Sequence, residues 1–194
     1  MTTAHYKYTK TEIDKIVKSM KIVIDSREKA NEHIREYLAQ KGVGFINRKL
    51  NVGDYSAVIP RNPELGIMRD IYLDACLERK NSIDEITGNL QKDKETAFEN
   101  ELIRSQGKPF VLVVEDSKGY EKILLGKYRS KYEPRALLGR LKAFEARYGF
   151  SIVYMDKKYM GNYIYHHFLY HAKEYLKNGV GVDFDDAEGG EENA

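Results

Sequence analysis

The 194-residue chain has no tryptophan, one cysteine and only four prolines. A lone Cys76 cannot form an internal disulfide, which suits a reducing cytosol. It lies inside an apolar run and reads as a small core residue rather than a nucleophile. No segment approaches the roughly 18 to 20 consecutive apolar residues of a membrane span. The N-terminal MTTAHYKYTKTEIDK lacks an apolar signal-type region, so nothing indicates secretion, and a cytoplasmic protein is expected. Pervasive disorder is excluded by a hydrophobic fraction of 42% with 11% aromatics. A strong net charge is also missing, since the formal value is +2, but the balance is uneven. The terminal DFDDAEGGEENA holds six acids and no base, leaving +8 on residues 1–182. A positive body favours a polyanionic partner. The acidic end reads as a solvated tail or as a competitor for the basic surface.

What is present alternates between helical and strand patterns. TKTEIDKIVKSM places Ile13, Ile16, Val17 and Met20 at helical spacing behind Thr9 or Thr11 as a cap. KIVID reads as a buried strand, and SREKANEHIREYLAQKG as a helix capped by Ser26, carrying Ile34, Tyr37 and Leu38 and ending at Gly42. GFINRKL, DYSAVI and IYLDACLERK suggest a three-stranded antiparallel meander. Residues 82–106 read as helical, with Gly88 as a point of interruption. PFVLVVED is a strand covered on both faces, GYEKILLGKYRSKYEPRALLGRLKAFEARYG is helix, loop, helix, and FSIVYM and KYMGNYIYHHFLYHAKEYLKNG are a last strand and helix. The expected organisation is an N-terminal helical extension over 1–20, an α/β domain over 21–178 and the acidic tail over 179–194.

The strand LDACLERK ends in three charges. Side chains two apart on a strand share a face, so Glu78 and Lys80 point together and Arg79 points oppositely. Such charges on an apolar strand are costly unless something uses them. A divalent cation is one such use, with Asp54 of a neighbouring strand as a second carboxylate. An oxygen-rich site of this kind suits Mg²⁺ or Mn²⁺. A metal polarises a phosphoryl oxygen and activates water, and an adjacent lysine holds the phosphate, orients the water or acts as a base if its pKa is depressed.

VGDY (52–55) followed by LERKNSIDE (77–85) resembles the GD…ERKxxxD signature of XPF-type structure-specific endonucleases. IVIDSRE (22–28) is similar to that family's first strand and Asp-x-Arg-Glu turn, and GNLQKD and PFVLVVED follow in the expected order, so the likeness covers residues 21 to 155. The resemblance implies a restriction-endonuclease-like fold, a mixed central sheet with an antiparallel meander flanked by helices on both faces. It also implies Asp54 and Glu78 as metal ligands, Lys80 as catalytic, and Arg79 as required, holding either the active-site strands or a phosphate. Asp25 is then the best further carboxylate, as a ligand or beyond the ligands. Arg27, Glu28 and Asp84 either act directly or form an ion-pair network shaping the site. The expected activity is Mg²⁺- or Mn²⁺-dependent cleavage of branched or flapped DNA.

Two departures stand out. The extra PRNPELGIMRD lengthens the connection between Asp54 and Glu78, and no tandem helix-hairpin-helix module follows, so a minimal member of the kind phages and some bacteria carry is expected. The segment from Lys118 to Lys142 interleaves bases with tyrosines, making Lys127, Arg129 and Lys131 the favoured DNA contacts, with Lys92 and Lys94 second. His167 and His171 at i, i+4 have no HExxH acid and read as packing residues. An exposed final helix suits homodimerisation. The alternatives are a non-catalytic DNA-binding scaffold, disfavoured because Asp54, Glu78, Arg79 and Lys80 are intact, and a nuclease acting on RNA or single strands.

Overall fold

The computed structural model describes residues 4–91, 94–178 and 180–182. Its strands are numbered along the chain. The main seven-stranded sheet has the order β3 (Phe45–Asn47), β2 (Lys21–Ile24), β4 (Tyr55–Ile59), β6 (Cys76–Lys80), β7 (Phe110–Val114), β8 (Ser151–Tyr154), with β5 (Ile71–Tyr72) paired to β4. β6, β7 and β8 are mutually parallel, as are β2 and β3, while β4 runs antiparallel to β2, β5 and β6. This is the mixed, restriction-endonuclease-like sheet expected. Because β2, β6 and β7 all point the same way, their carboxyl ends and the start of β4 meet at one end of the sheet.

The expected meander is rearranged. β3 does not pair with β4. The helix α2 (Glu32–Gln40) lies between β2 and β3 in the chain, and a helical crossover delivers the second strand parallel to the first. The antiparallel portion is therefore β2-β4-β6. The stretch IYLDACLERK also divides, into β5 and β6. At the break, buried Ser56 donates its Oγ hydrogen to the carbonyls of Leu73 and Ala75, at 3.2 and 2.9 Å. The 60–70 insertion is a folded hairpin, closed by an Asn62–Ile67 bridge around a 3-10 turn and anchored by buried Ile67.

Helix α1 (Lys10–Ile16) begins at Thr9 in a reciprocal capping box with Glu12, and Ile13, Ile16, Val17 and Met20 are all buried, as their spacing indicates. Asn31, not Ser26, occupies the N-cap position of α2, because residues 25–28 form a turn ahead of the helix. The helical region after Ser82 splits into α3 (Ile83–Asn89) and α4 (Glu95–Ser105). The next stretch gives α5 (Gly119–Leu125) and α6 (Pro134–Tyr148), and the chain continues to α7 (Met160–Lys177).

Alternation along the strands sorts the core into two layers. One face carries Ile22, Ile24, Tyr55, Leu77 and Val113 against α1, α2 and α7. The other carries Cys76, Leu112 and Val114 against α3 to α6. The final helix is one-sided rather than generally exposed. Ile164, Phe168, Ala172 and Leu176 face the core, whereas Tyr170 faces solvent. Helix α1 packs into the first core layer with α2 and α7. Val180–Val182 (β9) pair antiparallel with Ala4–Tyr6 (β1), and the acidic run from Asp183 lies outside the described residues. Among the described residues no helix is long and apolar enough to cross a membrane.

Phe168 is fully buried in the layer that seats α7. Phe168→Ala is expected to lower the unfolding free energy by about 3 to 5 kcal/mol in a denaturant titration. Tyr170→Ala, on the solvent face, should change it by less than about 0.5 kcal/mol.

Candidate active site at one end of the sheet

The GD turn has a steric origin. Gly53 has a φ of +72° and packs so closely on β6 that a Cβ there would lie 2.9 Å from the Leu77 carbonyl oxygen. Only glycine accepts both conditions. The turn lets Asp54 donate its backbone N–H to Leu77 O at 2.9 Å and give its own carbonyl to Asp25 N–H at 2.8 Å. Asp54 is thereby tied between β2 and β6, and its Oδ2 accepts the Arg79 backbone N–H at 2.9 Å.

β6 buries Glu78, Arg79 and Lys80, each at least nine-tenths removed from solvent. The pleat separates them as expected. Lys80 Nζ donates to Glu78 Oε1 on the face covered by α3 and α4, lies 3.8 Å from Glu85 and sits 5.7 Å from the Phe98 ring centroid. Burial raises the pKa of Glu78 well above the usual carboxylate range, with the neighbouring charges of Asp54 and Glu101 adding to it and Lys80 opposing it. Burial likewise pushes Asp54 up, to about 6, against the help of the Arg79 amide and Lys80. For Lys80, burial works against the charge, but bonded Glu78, then Asp54 and Glu101, outweigh it and raise the pKa. The ammonium form is favoured, contrary to the depressed pKa a lysine base requires.

Arg79 points to the opposite face. Its Nη1 donates to Glu115 Oε2 at 2.8 Å, and its Nε and Nη2 donate to Glu28 Oε1 at 3.1 and 2.5 Å. Of the two roles the resemblance left open for Arg79, this geometry matches the holding of strands. Glu28 thus belongs to an ion-pair network, and Glu115 joins it without having been singled out from sequence. Its signal was the end of PFVLVVED, where an acid terminates the strand beside ERK.

Asp25 is 1% exposed, and its oxygens are fully engaged. Oδ1 accepts from Arg27 N and Nε at 2.7 and 2.8 Å, and Oδ2 accepts from Arg27 Nη2 and Leu50 N at 2.8 and 2.7 Å. Burial would raise its pKa, but these hydrogen bonds prevail and hold it at about 2. Asp84 stands apart from both clusters. It accepts the Arg129 backbone N–H at 2.7 Å and the Arg129 Nε–H at 3.0 Å, fastening the loop after α5 to α3. Lys127, Arg129 and Lys131 are exposed, whereas Tyr128 and Tyr132 are partly buried against the second core layer and anchor the loop instead of offering free rings. Lys94 is exposed and lines a cleft of about 210 Å³ together with Lys80, Phe98 and Glu101. Lys92 lies outside the described residues. Glu101, also missed from sequence, faces the site from α4, where no motif spacing marks it.

The site's fit to a cation rests on a concrete observation. Glu78 Oε2 is buried with no hydrogen-bond partner, an uncompensated acceptor that a bound cation would satisfy. Among the described residues no group of three or more His, Cys, Asp or Glu side chains forms a ligand cage. An all-oxygen donor pair is the chemistry of hard, Mg²⁺-like ions and not of a closed nitrogen or sulfur site. The His167 and His171 rings lie 4.6 Å apart on α7, without a third ligand among the described residues, and burial lowers the pKa of both. Cys76 is buried, which pushes its thiol up to about 12 and removes it from nucleophilic chemistry.

The chain is similar in structure to XPF from Aeropyrum pernix, with a TM-score of 0.53 and 21% identity over 76% of this chain and 64% of that one. It is similarly close to XPF from Aeropyrum pernix in complex with DNA, with a TM-score of 0.53 and 20% identity over 81% of this chain and 66% of that one. This chain thus spans just under two thirds of those relatives, and the likeness shows a shared fold. A search of curated protein sequences found no match. The ERCC4 domain matches residues 24–167, a span that begins at the end of β2, takes in the Asp54 turn and the β6 charges and reaches α7, and the chain belongs to this family.

Proposed function

We propose that this protein is an endonuclease that hydrolyses DNA phosphodiester bonds, with branched or flapped DNA as substrate and Mg²⁺ or Mn²⁺ as cofactor. The observation that carries the reading is the partnerless, buried Glu78 Oε2 beside Lys80 and Asp54, at the end of the sheet where three strands terminate. Family membership and the likeness to an XPF solved with DNA support it.

Asp54 and Glu78 would hold the ion, which supplies charge neutralisation of the phosphoryl group and activation of water. Asp25 is left out of this set because four protein donors already fill its oxygens. Lys80, kept as an ammonium, binds a non-bridging phosphate oxygen or orients the attacking water, and serves as no base. Arg79 is held between Glu28 and Glu115 and acts by positioning. Asp84 serves DNA binding indirectly, since its two hydrogen bonds orient Arg129, whose side chain remains 91% exposed, beside a polar cleft of about 450 Å³. Lys127, Lys131 and Lys94 extend the basic surface along which a backbone is gripped irrespective of sequence.

Cleavage of labelled flap, fork, four-way-junction, duplex and single-stranded substrates tests this reading. Mg²⁺- or Mn²⁺-dependent cleavage of branched DNA is expected, reduced at least about 100-fold by Glu78→Ala, since losing a ligand costs no less than losing an outer partner. No cleavage of any substrate, or equal cleavage by both proteins, overturns it.

The raised pKa of Asp54 gives a second test. Its folded value of about 6 lies above the ordinary 3.8, so the unfolded chain ionises first as pH rises. Metal-free stability is therefore lost between about pH 4 and 6, and Asp54→Asn should stabilise the metal-free protein at pH 7 by up to about 3 kcal/mol. Cation binding runs oppositely, weakening as pH falls through about 6, because the proton competes for the same carboxylate. Thermal unfolding and Mn²⁺ titration across this range check both signs.

Binding measured by fluorescence anisotropy over a salt series addresses the basic loop. Combined Ala substitution of Lys127, Arg129 and Lys131 should flatten the log–log salt slope by up to about 3. Asp84→Ala should weaken DNA roughly 5-fold while leaving Mn²⁺ affinity unchanged.

A further inference from the structure

The face of β6 opposite the proposed chemistry carries a second buried array. Glu115, at the carboxyl end of β7, has a side chain only 1% exposed. Its backbone N–H donates to Lys80 O at 2.8 Å, its Oε2 accepts Arg79 Nη1 at 2.8 Å, and its Oε1 lies 2.6 Å from His33 Nε2 on α2. An ionised carboxylate can only accept, so the His33 Nε2 carries the hydrogen of that bond. The guanidinium is thus gripped on one side by Glu115 and on the other by Glu28.

The same residue that is gripped so firmly by its side chain touches the candidate metal site by its main chain. The Arg79 backbone N–H donates to Asp54 Oδ2 at 2.9 Å. This bond fixes the rotation of the Asp54 carboxylate and occupies one of its oxygens. Because Arg79 is anchored on the far face, the pleat of β6 is held in the orientation that aims this amide at Asp54.

We infer that Glu115, held by His33, is a positioning residue for the metal-binding carboxylate of Asp54, acting through Arg79 across the thickness of the sheet. The inference rests on the metal site proposed above. Without Glu115, Arg79 Nη1 is left buried and unpaired, and the guanidinium must turn toward Glu28 alone or toward solvent. Either movement pulls on the strand end whose amide orients Asp54. Partners placed this way, beyond the ligands, set ligand direction and affinity.

The test uses the full chain with Mn²⁺ alone as probe, alongside amide hydrogen exchange by NMR and cleavage kinetics. Glu115→Leu is similar in size and removes both acceptor oxygens, so Arg79 Nη1 loses its partner. It should weaken Mn²⁺ about 10-fold and lower kcat comparably, with KM for DNA unchanged. The Arg79 amide should exchange faster while the neighbouring amides of β7 keep their protection. If Glu115→Leu does not fold, His33→Leu at the partly exposed end of the array should produce the same pattern in weaker form. Unchanged Mn²⁺ affinity in a folded variant overturns the inference, as does a loss of affinity with the Arg79 amide protected as in the wild type. Mn²⁺ binding that does not depend on Asp54 overturns it too. A wild type that binds Mn²⁺ through Asp54 but cleaves no DNA would instead count against the nuclease reading alone.

Discussion

A five-residue strand that buries a carboxylate, a guanidinium and an ammonium in succession must find a partner for each, and the rest of the site is arranged around that requirement. Isolated charges in an apolar layer cost several kcal/mol apiece. Here the pleat divides the problem between two faces. Glu78 and Lys80 neutralise each other on the α3/α4 side, and Arg79 is neutralised by Glu28 and Glu115 on the α2 side. The sheet order makes both solutions available, because β4 brings Asp54 to one side of β6 and β7 brings Glu115 to the other.

The compensation on the two faces is unequal. The Arg79 network closes, with hydrogen bonds on both sides of the guanidinium. The Glu78 side does not close, since one oxygen of Glu78 has no partner and burial holds the pKa of both Glu78 and Asp54 above the usual range. One array is thus closed by its own hydrogen bonds, while the other keeps a buried carboxylate oxygen without a partner. The protein tolerates this shortfall because the surrounding apolar layers and the tied turns at Asp25 and Gly53 leave the strand ends no room to relax.

The periphery follows the same logic of fastening. Asp25 locks the turn after β2 with four hydrogen bonds, and Asp84 locks the loop after α5 with two. Carboxylates with similar sequence credentials therefore do different work. Asp54 and Glu78 are raised by burial and left partly free, whereas Asp25 is held at about 2 and fully used.

Much of this was legible in the chain. Periodicity identified the faces of α1, α2 and β6, and the i, i+2 rule placed Glu78 and Lys80 together and Arg79 apart, because side-chain direction along a strand is a local property of the backbone. The GD and ERK motifs pointed to the site, and Gly53 supplies the steric reason for one of them. Pairing was not legible locally. That β3 leaves β4 for β2 and that Asp84 meets Arg129 depend on contacts between residues distant in sequence. Glu101 and His33 carry no motif, and they matter only because two helices bring them to the two faces around β6; Glu115 ends PFVLVVED, but only the parallel pairing of β7 with β6 sets it beside Arg79. The sequence by itself determined which residues can carry charge into the core and which way each points from its strand. The tertiary structure alone decided which charges meet, and hence which carboxylate is satisfied and which keeps an unpartnered oxygen, because electrostatic pairing depends on distance in space and not along the chain.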